Sequence, residues 1–108
     1  MNYTEFDAGN ETYKLRLNTR DVISLEKRLG CNPLAIFGDG DTIPTITTMV
    51  NILHCSLTQY QHGIKMEDAY TIFDRFLEDG NAMTDFIPVI LEIYKVSGLI
   101  KDEPAKNS

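Results

Sequence analysis

Apolar and polar side chains alternate in the N-terminal part of the chain. The alternation covers the five residues Tyr13, Lys14, Leu15, Arg16 and Leu17. A period of two is typical of a strand with one buried face. Residues 3–6 form a weaker extended run, and Gly9-Asn10 between the two runs suits a hairpin turn. Residues 2–17 are therefore predicted to form a β-hairpin, which must pack on other elements because a lone hairpin is only marginally stable.

From residue 19 onward, apolar positions recur every three or four residues, which predicts amphipathic helices. We predict helices over residues 19–29, 44–57, 66–79 and 84–97, and a short helical turn over residues 33–37. On the first helix, Val22, Leu25, Glu26 and Leu29 lie on one side, with Ile23 beside them. In chain order, the stripes of the other three helices are Ile46, Met49, Val50, Leu53 and Leu57; Ala69, Ile72, Phe73, Phe76 and Leu77; and Phe86, Ile87, Ile90, Leu91 and Tyr94.

Polar residues and glycines predict where these helices begin and end. Asn18 or Thr19 can cap the first helix, and Thr42 can cap the second. Pro33 suits the first position of the short turn. Glycines end three of the long helices, at Gly30, Gly80 and Gly98.

Pro88 leaves two alternatives for the start of the fourth helix. If Thr84 is the cap, Pro88 lies at the edge of the first turn, where proline is tolerated. If the helix begins at Asn81, Pro88 removes an interior hydrogen bond and should kink the helix.

Together these elements predict a mostly α fold, with a small N-terminal β-hairpin packed on a bundle of about four helices. We expect residues 1–100 to form a single helical domain. Residues 101–108 contain no apolar anchor and should form a flexible tail. The predicted core contains Leu15, Leu17, Leu25, Leu29, Leu53, Phe73, Phe76 and Ile90.

The composition is that of a folded domain in a reducing compartment. The chain has 108 residues, of which 43% are hydrophobic, enough for one packed core. No apolar run approaches the roughly 20 residues that span a bilayer, and the first residues lack the basic start and apolar run of a signal peptide. We therefore expect a cytoplasmic protein that is not secreted and does not bind membranes. Cys31 and Cys55 are predicted to be buried, reduced thiols.

The net charge of −6 is distributed unevenly. Residues 1–38 contain five acidic and five basic side chains, whereas residues 39–108 contain eleven acidic and five basic ones. Such a surface repels nucleic acid, which also argues against a DNA-binding role for the second and third helices. A basic protein would be attracted, although solubility alone is an alternative explanation of the charge.

The loop that begins at Asp39 has some likeness to a calcium site, but it lacks the required ligands. A calcium-binding EF-hand needs an oxygen ligand, a glycine and a carboxylate at its fifth, sixth and twelfth positions. Ile43, Pro44 and Val50 stand there instead. We therefore predict no calcium site.

Three side chains that could bind zinc, those of His54, Cys55 and His62, do not have ligand spacing. A partly buried histidine beside a buried thiol is the favoured interpretation. The chain also lacks a phosphate-binding glycine motif and any Ser or Cys that the sequence marks as activated. We predict no catalytic, cofactor-binding or metal-binding residue, and a protein that acts by binding another protein. Only a polar-lined pocket would favour an enzyme.

Residues 13–30 resemble the opening of the tail assembly chaperones of long-tailed bacteriophages and related gene transfer agents. The shared features are an extended Leu-x-Leu, a threonine at the helix start, and a helix that ends in Leu-Glu-x-x-Leu-Gly. Here they are Leu15 and Leu17, Thr19, and Leu25-Glu26-Lys27-Arg28-Leu29-Gly30. The stretch Asn32-Pro33-Leu34 and the amphipathic helices after it also fit, so that the resemblance extends over residues 13–100.

The resemblance implies a non-enzymatic role in the cytoplasm of a bacterial host. Such chaperones coat the tape measure protein and keep it soluble until tail tube subunits assemble around it. A longer form made by ribosomal frameshifting usually carries a domain that contacts the tail tube protein. Weak self-association is also expected. The alternative is a small acidic regulator of the antitoxin or anti-repressor type, which would bind one basic partner tightly.

The resemblance also suggests a slip site near the C-terminus. Slippage by one nucleotide favours a heptamer such as A AAA AAC, which encodes a residue with an A-ending codon, then Lys, then Asn. Ala105-Lys106-Asn107 fits if alanine is written GCA. An ordinary charged tail is the alternative, because a mobile terminus constrains its sequence little. The nucleotides of codons 105–107 decide between the two.

Overall fold

The computed structural model describes residues 2–38 and 42–101. In the described part, two strands, β1 (Thr4–Ala8) and β2 (Glu11–Leu15), precede four α-helices. The helices are α1 (Thr19–Leu29), α2 (Ile46–Leu57), α3 (Met66–Glu78) and α4 (Phe86–Val96). Short 3-10 turns cover Pro33–Phe37 and Met83–Asp85. The predicted fold class, mostly helical with an N-terminal hairpin, is confirmed. None of the described helices is both long and apolar enough to cross a bilayer.

The hairpin forms as its alternating pattern predicts. β1 and β2 pair antiparallel, with Phe6 opposite Tyr13. Gly9 occupies the first central position of the turn with φ at +64°, a conformation that suits the glycine of a type II′ turn. The inward side chains are Phe6, Ala8, Tyr13 and Leu15, all of them buried.

Aromatic rings join the hairpin to the last two helices. The Phe6 ring lies 5.1 Å from the ring of Phe76 on α3 and 5.6 Å from that of Phe86 on α4, measured between centroids. Phe73 completes the group, 5.4 Å from Phe86. The turn is also tied to the residue that follows α3, because the Gly9 amide donates to Asp79 Oδ2 over 2.8 Å. The hairpin is therefore part of the core.

α1 has the predicted bounds because both ends are determined by local residues. Asn18, one of the two predicted caps, accepts a hydrogen bond from the Asp21 amide at 2.9 Å, and Asp21 accepts one from the Asn18 amide at 3.1 Å. Gly30 ends the helix in the left-handed conformation. One prediction is wrong: Ile23 is 47% exposed, because it lies about 200° around the helix from Leu25, the buried centre of the stripe.

α2 begins two residues later than predicted. Its cap is Thr45 and not Thr42, and the Thr45 hydroxyl accepts from the Thr48 amide at 3.1 Å. Pro44 lies before the cap and is buried. α2 contacts α1, α3, α4 and β2, and it contains no Asp, Glu, Lys or Arg. A helix with apolar residues on most sides is typical of the centre of a fold.

α3 and α4 lie close to their predicted positions. α3 ends at Glu78, and α4 begins at Phe86 after the 3-10 turn. Pro88 is the third residue of α4, in the first turn, where its missing N–H needs no helical partner. The predicted stripe of α4 is partly wrong, because Leu91 is 37% exposed and Ile93 is buried. The buried face consists of Phe86, Ile90, Ile93 and Tyr94, and Leu91 lies about 100° around the helix from Ile90. Tyr94, as the stripe predicts, is buried, and its hydroxyl donates to the Pro33 carbonyl at 2.8 Å.

Seven of the eight predicted core residues are buried, and Leu29 is partly buried against them. The prediction that both cysteines are buried is wrong for Cys31, which is exposed where the chain leaves α1 after Gly30. Cys55 is buried. The loop residues 39–41 and the tail residues 102–108 lie outside the described residues. The expectations for a loop, a flexible tail and a slip site at residues 105–107 therefore stay predictions.

Candidate protein-binding surface

Two large apolar side chains are exposed on opposite walls of one groove between α2 and α3. Ile46 on α2 is 46% exposed and Tyr70 on α3 is 49% exposed. The groove encloses a cavity of about 140 Å³. Its lining residues are Ile46, Thr47, Val50, Asn51, Met66 and Tyr70. We call this feature the α2–α3 groove.

Helical spacing brings these side chains together. Ile46 and Val50 are four residues apart on α2, and Met66 and Tyr70 are four apart on α3, so each pair lies on one face of its helix. Val50 is buried and forms the floor. Ile46 stays exposed because it is the first residue of α2, directly after the Thr45 cap, where no preceding helical turn covers it.

Arg28 of α1 fixes the region beside Met66. Its Nη1 lies 2.9 Å from His54 Nδ1 and 3.5 Å from Met66 Sδ. Arginine only donates hydrogen bonds, so His54 Nδ1 accepts and Nε2 carries the proton. That proton is donated to the Ile64 carbonyl, 3.0 Å away. His54 therefore joins α1, α2 and the segment before α3.

The two edges of the α2–α3 groove differ in charge. On α3, Asp74, Glu67 and Glu78 lie about 40°, 60° and 80° around the helix from Tyr70, on the side away from Met66. All three are exposed. Within residues 2–38 and 42–101, no basic side chain forms an ion pair with any of them. Since α2 carries no formal charge, the α3 edge of the groove is acidic and the α2 edge is uncharged. Arg28 adds a positive charge at the Met66 end of the groove.

The size of the groove decides what kind of group fits it. A cavity of about 150 Å³ holds one benzene molecule, so about 140 Å³ suits a single large apolar side chain. Pockets for small-molecule ligands are usually about 300–1,000 Å³. The groove is therefore suited to a side chain that another protein presents.

A second, polar-lined cavity of about 340 Å³ lies between the hairpin, the loop before α3, and α3. It is the kind of pocket that an enzyme would need. Its lining residues are Tyr13, Gln61, His62, Gly63, Ile64, Asp68, Thr71, Ile72 and Arg75. Asp68 accepts from the Lys65 amide at 2.9 Å, and the Thr71 hydroxyl donates to the Glu67 carbonyl at 3.2 Å. Both side chains therefore form hydrogen bonds with the backbone at the start of α3. The prediction that the chain is not an enzyme stays a prediction.

The three residues considered for zinc have separate surroundings. His54 uses both ring nitrogens in hydrogen bonds, and His62 lines the polar cavity. Burial raises the pKa of the Cys55 thiol, and Arg28 opposes that shift with its positive charge. Among the described residues, no three His, Cys, Asp or Glu side chains are placed to hold a metal ion.

The sequence pattern placed Ile46 among the buried residues and assigned no role to Tyr70. Two signals could have indicated the groove. α2 has no charged residue, apart from the ionisable His54, over its twelve positions. Tyr70 is flanked by acidic residues three before and four after it, at Glu67 and Asp74, which places an aromatic ring on a solvated helix face.

No curated protein and no solved structure matches this chain. A family profile does match it, over residues 4–108, which is nearly its whole length. The match includes both strands, all four helices and every residue that lines the α2–α3 groove. The chain therefore belongs to DUF6096, a family of unknown function.

Proposed function

We propose that this chain is a tail assembly chaperone that binds apolar helical segments of a phage tape measure protein, in the cytoplasm of a bacterial host. The observation that carries the proposal is the pair of half-exposed apolar side chains, Ile46 and Tyr70, on the walls of one groove. Exposed apolar surface with a polar border is typical of protein-binding sites. The resemblance of residues 13–30 to such chaperones supplies the identity of the partner.

The size of the groove suits a coat of many weak binders. One buried side chain contributes about 1.5–3 kcal/mol, much less than the free energy of a tight complex. Many copies along one long partner reach high avidity when they also touch each other. We therefore include weak self-association in the proposal. The net charge of −6 keeps such a coat soluble.

The tail tube protein is the second partner in this proposal. A long form, made by frameshifting near codons 105–107, adds a domain that contacts it. The short form and the long form then share the α2–α3 groove. Sequencing a −1 frame that stays open beyond those codons supports this part, and a frame that closes within a few codons contradicts it.

Coexpression with the tape measure protein of the same genome tests the main proposal. We expect that protein to move from the pellet to the soluble fraction when this chain is present, with many copies of the chain bound to each partner molecule. Equal precipitation with and without the chain contradicts the proposal. A tail tube gene upstream and a very long gene downstream would identify the partners to be tested.

A small acidic regulator is the second candidate, and the acidic edge on α3 favours it. A single basic partner bound by one or two copies of this chain would support an antitoxin or anti-repressor role. Light scattering of the purified complex measures this stoichiometry, and a ratio of many to one excludes the regulator.

A further inference from the structure

We propose that the occupant of the α2–α3 groove is an amphipathic helix with Lys or Arg along one edge of its apolar stripe and uncharged residues along the other. This inference rests on the proposed function only for the statement that the partner segment is helical. It adds the chemistry and the direction of that segment.

The apolar part of the site fixes which face of the partner is bound. The floor of the groove is Val50, and its walls carry Ile46 and Tyr70, half exposed. A helix whose apolar residues recur every three or four positions presents a continuous apolar stripe along one face, the form that binds in apolar grooves. One of its large side chains fills the cavity of about 140 Å³.

The charge of the site fixes what lies beside that stripe. Glu67 and Asp74 stand three residues before and four residues after Tyr70, on the outer side of α3. Neither has an ion-pair partner among residues 2–38 and 42–101. A Lys or Arg at the edge of the bound stripe reaches them with its long flexible stem while its head stays in water. On the α2 side, Thr47 and Asn51 offer no charge. The positive charge of Arg28 lies at the Met66 end of the groove, so the basic residues of the partner belong beside Glu67 and Asp74 and not at that end.

The one-sided charge also selects a direction. When the apolar stripe of a helix faces the groove, reversing the helix exchanges its left and right edges. A partner with basic residues on one edge therefore meets Glu67 and Asp74 in only one of the two directions. Successive copies of this chain on such a partner would all point the same way.

Three matched peptides test this inference. Each is a helix of about 18 residues, long enough to hold its structure, with the same leucine stripe and with Lys, Gln or Glu along one edge. NMR titration of the whole chain measures the affinities at low and moderate salt. We expect the Lys peptide to bind tightest, to lose affinity with salt, and to shift the signals of Val50 and Tyr70.

Two double variants identify the acidic edge as the cause. Replacing both groove carboxylates, Glu67→Gln and Asp74→Gln, should weaken the Lys peptide about twofold to thirtyfold, as two exposed ion pairs do, and leave the Gln peptide unchanged. The control, Glu5→Gln with Glu11→Gln, removes the same charge from exposed hairpin positions. It should change neither affinity by as much as twofold.

Several outcomes overturn the inference. They are equal binding of the Lys and Gln peptides, equal effects of the two double variants, and no binding of any peptide. The proposed function fails separately, if the tape measure protein precipitates regardless of this chain. Binding of the Lys peptide together with that failure would retain the groove chemistry and reject the partner. If this chain keeps the tape measure protein soluble but the Lys peptide does not bind more tightly than the Gln peptide, the partner is retained and the charged edge is rejected.

Discussion

At the scale of single residues, Tyr94 makes a buried contact that links distant parts of the chain. Its hydroxyl donates to the Pro33 carbonyl across 61 residues of sequence, and both are buried. Tyr94→Phe leaves that carbonyl without its partner, so we expect a loss of about 1–3 kcal/mol in the free energy of unfolding. Urea denaturation measures it. Tyr70→Phe, at a half-exposed position, is the matched control and should change stability by less than about 0.5 kcal/mol.

The same tyrosine also predicts a pH dependence. Burial raises the pKa of Tyr94 above the ordinary phenol value of 10.0. Above pH 10 the unfolded chain releases this proton while the folded chain keeps it, so stability falls as the pH rises. Tyr94→Phe should therefore lose stability less steeply than the natural chain above pH 10. Equal slopes would contradict the buried position of the hydroxyl.

The two cysteines should differ in reactivity. Cys31 is exposed and Cys55 is buried. Burial also raises the pKa of the Cys55 thiol, which lowers the fraction of Cys55 present as the reactive thiolate. A thiol reagent at neutral pH should modify one cysteine in the native chain and two in urea. In Cys31→Ser, fast modification of the native chain should disappear. Two fast thiols in the native chain would show that Cys55 is accessible.

At the scale of elements, we expect the hairpin to be stable only because its Phe6 ring packs against the rings of Phe76 on α3 and Phe86 on α4. Phe76 is 6% exposed and contacts Phe6, Phe73 and Phe86. Phe76→Ala should reduce the free energy of unfolding by about 3–5 kcal/mol. Ile23→Ala on α1 is the control, because Ile23 is largely exposed. A loss below about 1 kcal/mol for Phe76→Ala would mean that this stripe is a surface and not the core.

Element boundaries followed from sequence where the candidate caps were adjacent and failed where they lay several residues apart. The predicted bounds of α1 agree with the structure, since Asn18, one of the two adjacent candidate caps, and Asp21 cap its start and Gly30 ends it. For α2, two threonines three residues apart, Thr42 and Thr45, are equally good caps by type. In the structure the cap is Thr45, which accepts from the Thr48 amide, and Pro44 is buried just before it. The burial of Pro44 is a tertiary feature that no local pattern contains.

At the scale of the whole molecule, the apolar stripes showed which residues pack but not how the helices cover one another. Ile46 belongs to the stripe of α2, yet the start of a helix lacks a preceding turn to shield it, and no other element covers it fully. The groove is formed by two helices whose relative position the sequence pattern does not contain. The acidic excess of residues 39–108 is visible in the sequence, and helical spacing puts Glu67, Asp74 and Glu78 on one side of Tyr70. That this side borders a groove is visible only in the structure.

The central claim is that this chain holds a partner through the α2–α3 groove. The most direct measurement is the soluble fraction of the coexpressed tape measure protein with three versions of the chain. These are the natural chain, the groove variant Ile46→Gln with Tyr70→Gln, and the control Ile23→Gln with Leu91→Gln, which removes exposed apolar side chains elsewhere. Circular dichroism should show all three folded, because surface changes alter stability by about 0.5 kcal/mol or less. The account predicts that the natural chain and the control keep the partner soluble and that the groove variant does not. A groove variant as effective as the natural chain would contradict it.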